Sequence, residues 1–155
     1  MQIFILDRNP NKAARMLCDK HVVKMIVESA QILSTVHHIY DSKNKHLVYK
    51  KTHEKHPCVI WASKSKNNYL WLLKHLQALL EEYTYRYGKD HKTTEIKKIL
   101  EETPKGLFSV GLTSFAQVVP EEYIQKNAIK AYREFYKKEK RSFAKWTKRK
   151  KPNWF

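Results

Sequence analysis

Glycine and proline are scarce in this chain, with three Gly and five Pro in 155 residues. Tight hairpins rely on such residues, so the scarcity argues against a fold of many short strands and favours long helices. Two cysteines cannot form a disulfide framework, and they fit a reducing, cytoplasmic setting. No apolar run approaches the roughly 20 residues that a membrane-spanning helix needs. The opening "MQIFILDRNP" has a short apolar run, no basic leader and an early Asp, which is not the pattern of a signal peptide. Acidic residues are the last shortage: 15 Asp and Glu face 31 Lys and Arg, a net charge of +16. Such an excess repels itself in a compact chain, so a polyanionic partner is expected, nucleic acid first.

The chain is nevertheless 42% hydrophobic and 12% aromatic, enough to build a core rather than a disordered tail. The expectation is a mainly α protein, residues 1–155 forming a single compact helical bundle with long ordered loops and a basic C-terminal tail. "QIFIL" is either a strand or a buried lead-in. Asn9 and Pro10 suit a cap and a first helical position. Asp19 is expected to cap a second helix, in which Val22, Val23, Ile26, Ala30 and Leu33 form an apolar stripe running to about Val36. Residues 40–57 are polar, basic and aperiodic, a loop long enough to carry function. "CVIWASKSKNNYLWLLKHLQALLEEYTYRYGK" predicts one or two helices. Its apolar stripe runs from Tyr69 to Tyr87, with Gly88 as C-cap. A short helix precedes Pro104. Residues 106–123 read as an ordered loop. A last helix is expected to carry Ile129, Tyr132, Tyr136, Phe143 and Trp146 on one side.

Charge concentrates at the C-terminal end. Residues 137–151, "KKEKRSFAKWTKRKK", hold nine basic side chains and one acid, which is half of the net charge. Arg141, Lys145, Lys148, Arg149, Lys150 and Lys151 are candidate phosphate contacts, and Trp146 a candidate for stacking on a base. A second candidate grip is the 43–56 loop, where His53 and His56 could meet phosphate or carry protons.

One helix face stands out. His21, Lys24, Glu28, Gln31 and Thr35 recur at steps of three or four and so share a side of the helix. A solvated face with one weak salt bridge is the plain reading. Yet the mixture of imidazole, ammonium, carboxylate and amide is also the inventory of acid–base and base-recognition chemistry. Glu28, the only carboxylate between Asp19 and Asp41, is expected to be partly buried. Cys18, His21, His53, His56 and Cys58 raise a zinc site, but their spacing matches no common zinc pattern, and no metal is expected. There is no P-loop, no dinucleotide fingerprint and no nucleophile elbow, and no cofactor is expected.

The blocks "LDRNP", "CDKHVVKMIVESAQILS", "THEKHPCVIW", "SKNNYLWLLKH", "EEYTYRYGK", "PEEY", "AYREFY" and "FAKWTKRKKPNWF" together resemble a family of small phage and environmental bacterial proteins. Some of its members are labelled pyrimidine dimer DNA glycosylase, of the phage endonuclease V type. The resemblance covers nearly the whole chain. It implies a small basic all-α enzyme, phage-encoded and acting in the host cytoplasm, probing double-stranded DNA as a monomer. Such an enzyme excises a damaged pyrimidine and then cleaves the abasic strand. It also implies an amine that attacks the sugar C1′ to give a Schiff base, with a glutamate, here Glu28, as acid–base and charge-stabilising group.

The amine itself stays open. In that enzyme type it belongs to a small residue exposed by loss of the initiator Met. Residue 2 here is Gln, too large for efficient Met removal, so Met1 is expected to stay. Lys20, Lys24 and the Met1 amine are candidates, as is a water activated by Glu28 or Asp7. A flipped nucleotide would enter a pocket edged by His21, Glu28 and Gln31, with Asn67, Asn68 and Tyr69 close by. Two other functions compete: a transferase acting on hypermodified thymidine in phage DNA, and a non-enzymatic nucleic-acid-binding protein.

Overall fold

The computed structural model describes residues 1–155 and is all-helical, without strands. The order is α1 (Pro10–Met16), α2 (Asp19–Ile39), α3 (Pro57–Lys64), α4 (Lys66–Tyr87), α5 (Thr93–Leu100) and α6 (Ala128–Glu139), with 3₁₀ turns at Lys45–Leu47 and Glu121–Tyr123. No helix is long and apolar enough to cross a membrane.

The two long helices form the frame. α2 has 21 residues and α4 has 22, each about 30 Å long at the rise of an α-helix. They pack on each other, α1 lies on α4, α3 bridges them, and α5 rests on both. Thirty-one buried apolar residues form one connected core. The first residues thread into it: Ile3, Phe4, Ile5 and Leu6 are buried although the segment pairs with no strand, so "QIFIL" is the lead-in rather than the strand.

Local chemistry sets the helix ends. Asn9 accepts hydrogen bonds from the amides of Asn11 and Lys12 at 2.9 and 3.2 Å, and Pro10 follows at the first helical position, as expected. α4 stops at Gly88, whose φ of 70° is the left-handed conformation that a side chain disfavours. α3 and α4 are separate because Ser65 is extended. Its hydroxyl caps α4 at Asn67 N and donates to Gly111 O at 2.8 Å.

Four expectations need correction. Asp19 is the first residue of α2 rather than its cap, a place taken by Cys18. Val23 is exposed, because nothing packs on that side of the stripe. Tyr87 is likewise exposed at the end of α4. The last helix ends at Glu139, so Phe143 and Trp146 are not on it. The run "KKEKR" places no apolar side chain toward the core, and the chain turns there. Phe143 then packs edge-on against His21, and the indole of Trp146 donates to Met16 O at 2.9 Å.

Residues 101–127 contain no α-helix, yet they are tied down by side chains. Asn67 Oδ1 accepts from Gly111 N at 3.0 Å. Asn68 accepts from Thr113 N at 3.0 Å and donates to Trp61 O and Thr113 Oγ1 at 2.7 Å. Tyr132 OH accepts from Val118 N and donates to Ala116 O.

Candidate active site at the start of the chain

Gln2 is the peg that places the first residue. Its amide nitrogen donates to Val118 O, and its amide oxygen accepts from Ile3 N at 2.9 Å and lies 3.1 Å from the Tyr132 hydroxyl. Two distant contacts, Val118 and Tyr132, and one from the neighbouring Ile3 fix this side chain, and Ile3–Leu6 anchor the segment behind it. The Met1 α-amine therefore comes to rest 4.0 Å from Glu28 Oε2, in the middle of α2. The Met1 side chain is 3% exposed and that of Glu28 14%.

Glu28 is poorly satisfied for a carboxylate at that depth. Lys24 Nζ lies 3.5 Å from Oε1, from a side chain that is itself 64% exposed. Oε2 is buried and has no hydrogen-bond partner. At 4.0 Å the amine is too far for a hydrogen bond but close enough for strong Coulombic attraction. A buried acceptor left open normally costs stability, so its persistence calls for a reason.

The third member comes from the loop before α3. His56 is the N-cap of that helix, its Nδ1 accepting from Cys58 N at 3.2 Å. Burial holds His56 below the ordinary imidazole range. The positive Met1 amine and His53 push the same way, against the Glu28 carboxylate. His56 is thus neutral at pH 7, and with Nδ1 accepting, the proton sits on Nε2. His53 is exposed in the turn just before, with φ at 49°, and its carbonyl accepts from His56 N at 2.8 Å. Thr35 pins this loop to α2, its hydroxyl lying 2.8 Å from Gln31 O and accepting from Thr52 N at 3.2 Å. Gln31 is half-buried one turn along from Glu28.

Other candidates fall elsewhere. His21 lies on the same stripe but is buried. It stacks on Phe4 with ring centroids 4.5 Å apart and bonds Tyr136 OH at 2.9 Å. Burial, with Lys140 and Lys24 nearby, pushes it down to about 4, so it is a neutral core residue rather than a proton carrier. Lys20 sits 4.8 Å over the Phe143 ring. Asp7 accepts from Asn9 N at 2.8 Å and pairs with Arg133 at 3.4 Å, making no contact with Glu28.

Asn68 and Tyr69 are fully buried and cannot edge a base pocket. The amides of Asn67 and Asn68 read the backbone of the 111–113 segment, which has no strand partner of its own. Tyr69 OH donates to Leu100 O at 2.7 Å.

The C-terminal segment is anchored rather than loose. Arg149 forms a two-pronged bond to Glu82 at 2.8 and 2.9 Å. Lys148 Nζ reaches Tyr85 O at 3.1 Å. Trp146 is half-buried against Phe155 at 4.8 Å, an anchor and not a free stacking platform. Arg141, Lys145, Lys150 and Lys151 remain exposed. Asp19, where Thr147 and Lys145 bind, is nine residues from Glu28, about 14 Å along α2. No group of three or more His, Cys, Asp or Glu converges as a metal site. Both cysteines are free and buried, and burial pushes the Cys58 thiol up to about 12.

The sequence left the amine open among several candidates, and it held no sign of the peg that Gln2 provides. A His-Pro pair ahead of a helix was a legible signal for His56 as a cap.

A family model described as pyrimidine dimer DNA glycosylase matches residues 1–95, which include Met1, Glu28 and His56. The chain belongs to that family. No curated protein and no solved structure matches it. Membership in the pyrimidine dimer DNA glycosylase family gives the chain a DNA substrate and, at family level, a glycosylase reaction. The matched stretch runs from the first residue into α5. The long 101–127 segment, α6 and the basic tail lie beyond it.

Proposed function

We propose that this chain is a DNA glycosylase with abasic-site lyase activity in which the Met1 α-amine is the nucleophile and Glu28 its acid–base partner. The observation that carries this reading is the 4.0 Å approach of the amine to a buried, unpartnered carboxylate oxygen. α-Amines as a class are weaker bases than lysine side chains, about 8 against about 10.4, which favours an α-amine over a lysine as nucleophile. Lys20 and Lys24 are disfavoured: one is held over Phe143 and the other is largely in solvent.

In the first step the amine nitrogen bonds to C1′. The bond from C1′ to the base breaks, and the base leaves with the electron pair and picks up a proton from solvent. The C1′–O4′ bond then breaks, Glu28 passes the proton given up by the amine nitrogen to O4′, and the same carboxylate stabilises the positively charged imine that forms. A base next removes a C2′ proton, the 3′ phosphate departs with its electron pair, and the strand is cut. In this reading Glu28 takes that proton. The neutral His56, presenting Nε2–H, donates a hydrogen bond to a phosphate or base oxygen. Exposed lysines of the 43–56 loop and of residues 141–151 supply non-specific attraction to the duplex.

Borohydride trapping on an abasic duplex, followed by peptide mass spectrometry, tests the assignment. The expected adduct maps to the peptide that begins at Met1, and the intact mass of the free protein establishes that this residue is present. An adduct on Lys20 or Lys24 would replace the nucleophile. Cleavage with no adduct would point to water attack directed by Glu28.

A further inference from the structure

A groove of about 610 Å³ lies outside the candidate site, with none of Met1, Glu28 and His56 in its lining. Its lining includes Arg8, Lys126 and Lys130 together with the amides of Gln117, Gln125 and Asn127, and it contains no carboxylate. All three cations are exposed, and none takes part in an ion pair. The next groove in size, about 560 Å³, is lined by Glu81 and Asp90 beside a single Lys97. The contrast is one of charge sign at similar volume.

The groove is also built to hold its shape. Gln117 donates to Gln125 O at 2.6 Å and accepts from Gln125 N at 3.2 Å, which clamps one wall to the other. The carbonyl of Arg8 accepts from the Trp71 indole at 2.7 Å, so its backbone is fixed while its side chain is free. Asn127 uses its side chain to cap α6 at Ile129 N and Lys130 N, so the positive character comes from the three cations and not from open helix amides. One backbone link joins the wall to the candidate site: the residue after Gln117 is Val118, whose carbonyl holds Gln2, the neighbour of Met1.

From this we infer that the groove is a second binding site for the DNA phosphodiester backbone, one that holds the strand flanking the nucleotide presented to Met1 and Glu28. Three unpaired cations and three amides around a cleft free of carboxylates are the chemistry that accepts consecutive phosphates. The inference rests on the reading of the chain as an enzyme of DNA, but not on the identity of its nucleophile.

The test compares two triple variants of the full chain that lose the same charge. R8Q/K126Q/K130Q empties the groove of cations. K89Q/K92Q/K98Q removes three exposed lysines around α5. Binding to an undamaged duplex is followed by fluorescence anisotropy across salt concentrations, so that the readout does not depend on turnover. Each phosphate contact contributes a slope of about −0.9 in log K against log salt. The groove variant is expected to lower the magnitude of the slope by about 2–3, and the α5 variant by less than about 1. Equal changes in the two variants, or an unchanged slope in the first, would overturn the inference. The proposed reaction is judged separately, by trapping with the unaltered protein. If that protein forms no adduct but the groove variant still loses its slope, the groove stands and the amine mechanism falls. If adducts form and the slope does not move, the reverse holds.

Discussion

Two glutamates on the two long helices make opposite use of burial. Glu82 on α4 is 3% exposed and fully engaged: Arg86 Nε and Arg149 Nε reach Oε1 at 2.8 Å, and Arg149 Nη2 reaches Oε2 at 2.9 Å. Arg86 extends the network to Asp19 at 2.9 Å and to Arg15 O at 3.1 Å. Burial alone would raise the Glu82 carboxyl, but the bonds from Arg149 and Arg86 outweigh it and hold it below its ordinary range. Glu28 on α2 is partly buried, yet its cations stand at 3.5 and 4.0 Å and one oxygen is unpartnered. A closed network gives rigidity and leaves nothing to offer a ligand. An open one is less stable and keeps an oxygen available to charge that develops during a reaction. The molecule places the first where the tail must be held and the second where the chain begins.

The comparison can be broken at its most consequential point first. Glu28→Gln is expected to lower the single-turnover rate on abasic DNA about 10²–10⁴-fold, the range of a lost acid–base group. It should leave the melting temperature unchanged or raised, since a neutral amide relieves a buried open carboxylate. Glu82→Gln should do the opposite. It leaves the buried Arg86 with Asp19 as its one remaining carboxylate, and removing one partner from a buried ionic network costs about 3–5 kcal/mol. Thermal unfolding should shift down by roughly 10 °C.

A third test uses acid. Burial pushes His21, His37 and His75 down to about 4 from 6.5. Between these values the unfolded chain binds protons that the folded chain refuses. Stability should therefore fall as pH drops from about 6.5 to about 4, by on the order of 1–3 kcal/mol for each histidine. Melting curves across that window check this, and a flat profile would contradict the burial of the three rings. The smallest effect belongs to Lys24→Gln. Its pair with Glu28 is largely in solvent, and stability should change by less than about 0.5 kcal/mol in chemical denaturation.

Much of the helical plan was legible because it is written in local chemistry. Asn9 with Pro10 and Gly88 act at their own positions whatever packs around them. The stripe from His21 to Thr35 was legible as a single side of α2, because periodicity fixes the direction of a side chain about the helix axis. It does not fix depth. His21 is covered by Phe4, Tyr136 and Phe143, which lie 17, 115 and 122 residues away in the chain. Glu28 is covered only in part, by Met1. The same limit applies to Asn67 and Asn68, whose amides suit a base edge and a bare loop backbone equally well. Only the course of residues 111–113 decides between them. The tail misled for a related reason. Its charge was evident, but Asp19 and Glu82, which hold Thr147 and Arg149, lie far upstream.

The peg at Gln2 has a practical side. It fixes residue 2 to the scaffold, so the reach of whatever precedes it is measured from that point. One additional residue ahead of Met1 would carry the free amine up to about 3.5 Å farther along the chain, against an amine-to-carboxylate gap of 4.0 Å. Under the proposed amine mechanism, a single residue left by a cleaved purification tag is expected to silence trapping without disturbing the fold. Phe155 packs on Trp146 and Tyr136, which ties the basic segment to the core. For this protein the choice of how to purify it is already an experiment on its length.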